Sequence, residues 1–309
     1  LFFTAGGTES NNTAIIGHCL RHQNLGKHII TTAIEHHSVL EPIEYLVENF
    51  GFEVTILQPI NQEISAQQVQ EALRDDTILV STMYANNETG TLLPISEIGE
   101  LLKQHQAAYH VDAVQAVGKV PILPEALGID FLSASAHKFH GPKGIGFLYS
   151  ATMDFDSYLH GGDQEQKKRA GTENLPAIVG MVAALKEALE KQEQHFKEVE
   201  ELKDTFLHEM TGADYYLNQG KNQLPYVLNI GFPGQKNDLL LLRLDLAGIS
   251  ISTGSACTAG IVQISHVLEA FYGPESHRLH ESVRISISPQ NTTQEMKQLA
   301  ETLKEIIGG

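Results

Sequence analysis

From Leu1 to about residue 150, short apolar runs alternate with helical patterns, and polar or glycine residues gather just after each run stops. Lys27 to Ile34 stops at Glu35-His36-His37-Ser38. Thr77 to Tyr84 stops at Ala85-Asn86-Asn87. Ala107 to Asp112 leads into Ala113-Val114-Gln115, and the run from Ile129 to Leu132 leads into Ser133-Ala-Ser135-Ala-His137-Lys138. Strands separated by helices predict a mostly parallel sheet with helices on both faces. An open sheet of that kind binds its ligands beyond the carboxyl ends of its strands. Each polar group in these stretches therefore falls on one rim, which a random scatter would not produce.

The chain has 309 residues, enough for two domains with a sizeable core. Residues 1–212 read as a large α/β domain and residues 213–309 as a smaller α+β domain. In the smaller one, strands are predicted at Tyr226 to Ile230, Ile249 to Thr253 and Ser282 to Ile287, with helices at Asp238 to Ala247 and Ser265 to Phe271. One long helix, from about Leu175 to Met210, is expected to leave the core and link the two. Thr292 and Glu295 form a capping box for a closing helix.

Thirty-eight acidic side chains against 21 basic ones give a net charge of −17, with no basic tract, so the chain is not built to hold nucleic acid. The two cysteines, Cys19 and Cys257, make neither a disulfide framework nor a CxxC pair, which fits a reducing, cytoplasmic compartment. No run is long and apolar enough to suggest a membrane partner. Leu1 to Thr4 reads as the end of a strand already under way, so the natural N-terminus is expected to lie upstream.

Several side chains carry chemistry. A lysine just past a strand end, among small neighbours, can take a carbonyl cofactor as a Schiff base, given a carboxylate nearby for a pyridinium nitrogen. Lys138 and Asp112 fit those two parts, although Lys138 taken alone reads more simply as a solvated loop lysine. Strand, glycine turn and helix start at Thr4-Ala-Gly6-Gly7-Thr8 form either an anion cradle or an ordinary capped helix; neither nucleotide fingerprint is met. His36 suits acid–base work or stacking on a flat ligand. His36 and His37, adjacent and pointing apart, do not make a metal pair. Asn86 and Asn87 suit a ligand-facing rim or plain turn chemistry. Arg169-Ala-Gly-Thr172 suits anion contact, and the stretch from Tyr158 to Asn174 around it reads equally as a surface excursion. Arg284 suits a carboxylate clamp or a water-facing edge strand. Cys257, among Gly, Ser, Ala and Thr, lacks an apolar shell and reads as a reactive thiol in a mobile loop, whereas Cys19 on an apolar helical face reads as inert.

Taken together, these stretches resemble the cysteine desulfurases, pyridoxal-phosphate enzymes of the aspartate-aminotransferase fold type (fold type I). The resemblance rests on Thr4-Ala-Gly-Gly-Thr-Glu-Ser-Asn-Asn12, Glu35-His36, Asn86-Asn-Glu-Thr-Gly90, Asp112-Ala-Val-Gln115, Ser135-Ala-His-Lys138 with Gly141-Pro-Lys-Gly144, Arg169-Ala-Gly-Thr172, and Gly254-Ser-Ala-Cys257 followed by Ser265-His-Val-Leu268. It implies that pyridoxal 5′-phosphate is held by Lys138, with Asp112 on the ring nitrogen, Gln115 on the phenolic oxygen and His36 stacked on the ring. The phosphate would be bound by Gly7, Thr8, Ser135 and His137, and by Thr172 from the other subunit of a homodimer. Asn87 and Arg284 would orient the carboxylate of L-cysteine. Cys257 would attack the substrate sulfur, leaving alanine and a persulfide destined for a sulfur-acceptor or iron–sulfur scaffold protein. The chain departs from the family in two places. Pro289-Gln290 stands where a Gly-Arg pair is usual, and the family's N-terminal segment is missing.

Two other readings remain open at this point. An aminotransferase or C–S lyase would keep the cofactor but not need Cys257, and a non-catalytic scaffold would keep only the fold.

Overall fold

The computed structural model describes residues 1–254 and 264–308. The described chain divides into two compact units, one of residues 1–58, 64–84 and 93–192, the other of residues 59–63, 85–92 and 193–309.

In the first unit the alternation read from the sequence takes shape as β1 (Phe2–Thr4), α1 (Gly7–His22), β2 (His28–Thr32), α2 (His37–Phe50), β3 (Glu53–Leu57), α3 (Ala66–Ala72), β4 (Thr77–Met83), α4 (Ile95–Leu102), β5 (Ala108–Asp112), β6 (Phe131–Ser135), β7 (Gly146–Ser150) and α5 (Leu175–Glu190). The strands form one seven-stranded sheet in the order β1-β7-β6-β5-β4-β2-β3. β2 pairs parallel with β3 and β4, β4 with β5, and β5 with β6, while β7 is antiparallel to both β6 and β1. Every strand but β7 thus points the same way, and the segments after Thr4, Thr32, Asp112 and Ser135 emerge at one edge. Every residue of β2, β4 and β6 is buried, as in a parallel sheet covered on both faces, and their polar members, such as Thr31 and Ser81, are buried with the apolar ones.

α1 lies against this sheet and packs into two clusters. Ile15 and Cys19 meet Ile29, Val39, Ile43, Leu46, Ile78 and Leu79; Ala14 meets Phe2, Phe131, Leu148 and Phe155. Cys19 is fully buried there, as its apolar helical setting predicted, and burial pushes its thiol pKa far up, so it stays protonated and inert.

Local sequence chemistry sets the helix ends. Ser65 and Gln68 make a reciprocal capping box for α3, and α2 stops at Gly51, whose left-handed φ of 67° lets its N–H turn back to the Leu46 carbonyl. α2 begins on a histidine: His36 is its N-cap, and its ring accepts from the Ser38 N–H.

The second unit holds α6 (Gln192–Glu209), β8 (Tyr216–Leu217), β9 (Val227–Gly231), α7 (Asn237–Leu246), α8 (His266–Tyr272), α9 (Arg278–Glu281), β10 (Ser282–Ser286) and α10 (Thr293–Gly308). Its sheet is antiparallel, in the order β10-β9-β8. The predicted capping box closes as expected, with Glu295 N–H to Thr292 Oγ1 at 3.2 Å and Thr292 N–H to Glu295 Oε2 at 2.8 Å.

Two expectations change. The single helix from 175 to 210 is two helices, because Lys191 leaves helical geometry (φ −105°, ψ 8°) and its N–H turns back onto the Glu187 and Leu189 carbonyls. The strand expected over Ile249 to Thr253 reduces to one bridge, Ser252 with Arg284. Its neighbours make no further ladder bonds among the described residues, so the β-branched run there does not extend the sheet.

Phe131 is fully buried in β6, edge-on to His18 and Phe155. Phe131→Ala should cost about 3–5 kcal/mol, read as a lower urea midpoint with an unchanged slope.

Candidate active site

At the sheet edge of the first unit, Asp112 ends β5 with only 7% of its surface exposed. Its Oδ1 accepts the Val114 N–H at 3.0 Å and its Oδ2 the Asn11 amide at 2.8 Å. Asn11 sits on α1 and uses its second amide hydrogen on Ser38 Oγ at 2.9 Å. Ser38 in turn presents its hydroxyl (2.8 Å) and its backbone N–H (3.0 Å) to His36 Nδ1. A backbone N–H only donates, so Nδ1 is an acceptor and the neutral ring carries its proton on Nε2. One hydrogen-bonded chain thus runs Asp112–Asn11–Ser38–His36 and fixes both functional side chains.

Electrostatics follow from this burial. Removal from water pushes the Asp112 carboxyl above the ordinary aspartate range; the Val114 N–H, the Asn11 amide and the Lys138 charge oppose the shift, as would His36 if it were protonated. Lys138, half-buried in the short 3-10 turn Ala136–Phe139 after β6, therefore acts on Asp112 through its charge. In the same turn Ser135 Oγ lies 2.8 Å from His137 Nδ1, and His137 is pushed below its usual range by burial and by Lys138 and Lys143.

Beside β6 lies the glycine turn. Gly6 has φ 151°, and a Cβ there would come within 3.4 Å of Ser135 Oγ; a Cβ on Gly7 would strike Val114 at 2.6 Å. Only glycine lets the start of α1 approach Ser135 and Val114 so closely. Arg169 Nε and Nη2 bind the two Glu9 oxygens at 2.8 and 3.2 Å, and Glu9 Oε2 also accepts the Ala5 N–H at 2.7 Å. Arg169, singled out as an anion contact, is thus committed to Glu9, and the helix start is left with backbone donors beside a neutralised carboxylate. Thr172 is exposed. A cavity of about 700 Å³ opens next to these groups, walled in part by Thr8, Asn12, His36, Tyr45 and Tyr158.

In the second unit, Arg284 Nε donates to Ser252 Oγ at 3.0 Å and Nη1 to the Asn87 carbonyl at 3.1 Å. Arg284 stands on the edge strand of its sheet, half-buried, with its guanidinium held by these two bonds. Glu88, fully buried, accepts the Ser265 hydroxyl, and its N–H binds Asn86 Oδ1 at 2.9 Å. Cys257 lies outside the described residues.

The structure gathers Gly7, Thr8, His36, Asp112, Gln115, Ser135, His137 and Lys138 on the first unit, whereas Asn87 and Arg284 meet within the second. Asn11, Ser38, Glu88 and Lys119 were not singled out from the sequence. For Asn11 a signal was present: it stands on the buried face of α1, beside the apolar positions 14 and 15, where an amide needs a partner.

The sheet order, its one reversed strand and a carboxylate–lysine pair at the strand ends define the α/β class of fold type I pyridoxal-phosphate proteins. The chain belongs to the aminotransferase class-V family, whose model matches residues 1–299. It is 49% identical to IscS 1 of Bacillus subtilis (strain 168), over 99% of this chain and 82% of that protein. It is 44% identical to the cysteine desulfurase IscS of Methanosarcina thermophila, over 99% of this chain and 76% of the relative. Among solved structures, a NifS-like protein superposes with a TM-score of 0.91 at 33% identity, covering 99% of this chain and 82% of that one. SspA in complex with cysteine superposes with a TM-score of 0.81 at 36% identity, covering 94% and 82%.

Pyridoxal 5′-phosphate is the cofactor of this class, and the first unit's donor set suits it. The Gly6-Gly7 turn, which a Cβ would block, offers free helix-start N–H groups beside the Ser135 hydroxyl for a phosphate. Asp112, buried and braced by two donors, suits a protonated ring nitrogen.

Asn11→Ala should weaken binding of pyridoxal 5′-phosphate to the apoprotein about tenfold, by absorbance titration, because the Asp112 carboxylate loses a bracing donor. A second prediction concerns Glu35, fully buried at the end of β2, where burial pushes the carboxyl up to about 8 although Thr32 and the Met83 N–H bind it. The folded chain keeps a proton that the unfolded chain releases near its ordinary value of 4.5, so this group's contribution to stability falls as pH rises from there to about 8. Glu35→Gln should remove that part of the decline, so its urea midpoint should drop less between pH 5.5 and 8.5 than that of the unsubstituted chain.

Proposed function

We propose that this chain is a pyridoxal-phosphate-dependent cysteine desulfurase. It takes sulfur from L-cysteine, gives L-alanine, and leaves a persulfide on Cys257 for iron–sulfur cluster or thio-cofactor assembly. The observation that carries this reading is the buried Asp112, braced by Asn11 and Val114 and within electrostatic reach of His36 and Lys138. The relatives named cysteine desulfurase and the neighbour holding cysteine support the substrate.

When bound, pyridoxal 5′-phosphate supplies an electron-withdrawing ring that makes the amino acid's Cα proton removable. The chain's residues do the rest. Lys138 holds the cofactor through Nζ and moves protons at that atom. Asp112 keeps the ring nitrogen protonated, Gln115 donates to the phenolic oxygen, and His36 stacks on the ring with Nδ1 capped by Ser38. Gly7, Thr8, Ser135 and His137 bind the phosphate, joined by Thr172 of the partner subunit in a cytoplasmic homodimer; the exposure of Thr172 on its own chain suits that role. Asn87 and Arg284 orient the substrate carboxylate. The Cys257 thiolate then attacks the substrate sulfur: a sulfur–sulfur bond forms as the Cβ–S bond breaks. The electron pair goes to Cβ, which takes up a proton and becomes the methyl group of alanine. The persulfide passes to a sulfur-acceptor or scaffold protein.

The test is to add L-cysteine with a thiol reductant and follow alanine and sulfide. Cys257→Ala should lower both by on the order of a thousandfold or more while keeping the cofactor's absorbance. Full sulfide release by that variant would instead mark a C–S lyase. Borohydride reduction and peptide mapping should find the pyridoxyl group on Lys138, and its absence would reduce the chain to a scaffold.

A further inference from the structure

A second lysine stands beside the cofactor groups of the first unit. After β5 the backbone makes two tight turns: Val117 N–H meets the Ala113 carbonyl at 3.0 Å, and Val120 N–H meets Ala116 at 3.2 Å. These turns bring the side chains of Gln115 and Lys119 together. Between them and Lys138 the packing is close. Gly118 adopts φ 80°, and a Cβ there would sit 3.2 Å from Cβ of Phe139 and 3.0 Å from Cβ of Ala188, so the turn carrying Lys119 is pressed onto the turn carrying Lys138. Lys119 is half-buried, and its Nζ donates to Gln115 Oε1 at 3.4 Å.

An amide side chain has two ends of nearly equal shape and opposite polarity. An ammonium group has only donors, so the end it faces must be the oxygen. We propose that Lys119 is a positioning residue that sets the rotation of the Gln115 amide, holding Oε1 so that the Nε2 hydrogens are the end presented to the cofactor's phenolic oxygen. This rests on the cofactor reading of Gln115 given above. With the opposite rotation, oxygen would face oxygen and repel the phenolate. Burial and the Lys138 charge pull the Lys119 ammonium down to about 8, as expected for a cation enclosed with another cation.

The experiment compares Lys119→Arg, Lys119→Met and Lys119→Glu, each alone and combined with Gln115→Ala. Pyridoxal 5′-phosphate is titrated into the apoprotein, and the bound cofactor's long-wavelength band is recorded beside a thermal melt. Arg, which also only donates, should restore the affinity and band position of the unsubstituted protein. Met, with no donor, should bind about tenfold more weakly. Glu, an acceptor that turns the amide round, should bind more weakly still, by on the order of a hundredfold, with a displaced band. In the Gln115→Ala background all three should be equal. Losses that persist there would overturn the proposal in favour of a simple charge effect. Equal affinities and bands in the single variants, in a protein that binds cofactor normally, would also overturn it. An unsubstituted protein that binds no cofactor would instead overturn the reading on which it rests.

Discussion

A carboxylate taken out of water is the constraint on which the first unit depends. Asp112 ends a strand whose residues after the first are all buried, and an isolated charge in such a place would neutralise itself by taking up a proton. Three elements are arranged to limit that tendency: the backbone after β5 supplies the Val114 N–H, α1 supplies Asn11, and α2 supplies Ser38 to anchor Asn11 in turn. The same Ser38 donates its N–H to His36, the N-cap of α2. Local helix chemistry and the placing of functional groups are therefore one set of bonds.

Much of this was legible in the chain. Period and punctuation located the parallel strands to within a few residues, and because parallel strands share a direction, the polar residues after β2, β5 and β6 had to fall on one edge. That placed Asp112, His36, Gln115 and Lys138 on one unit. The bracing groups were harder to see. Asn11 and Ser38 act across gaps in sequence that no local pattern encodes, and the Arg169–Glu9 pair joins a loop to a helix start that nothing in either stretch connects. Lys119 looked like any lysine after a glycine, since its meaning depends on the left-handed turn at Gly118 and on Phe139 beneath it.

The second unit was read less well, for a physical reason. β-branched residues at 249–253 favour an extended backbone, but a strand needs a partner of matching length, and β10 offers Ser252 alone a ladder bond. Likewise, neither Gly nor Pro stands at the junction of α5 and α6, so the turn at Lys191 has no breaking residue to announce it. Glu88 stayed hidden inside an asparagine-rich turn whose bland explanation was adequate. Its complete burial against Ser265 emerges only from the fold.

The sheet order has a kinetic corollary. Among the described residues β1 pairs only with β7, through Phe2–Leu148, Phe3–Phe147 and Thr4–Gly146, and that contact draws the Gly6 turn against Gly146. Closing so long a loop is entropically slow, and an unpaired strand invites wrong partners while it waits. As the chain leaves the ribosome, Phe2 and Phe3 therefore stay without their sheet neighbour until Phe147 and Leu148 have been made. The Gly6-Gly7 turn, made long before β7, is among the last parts of this unit to take shape.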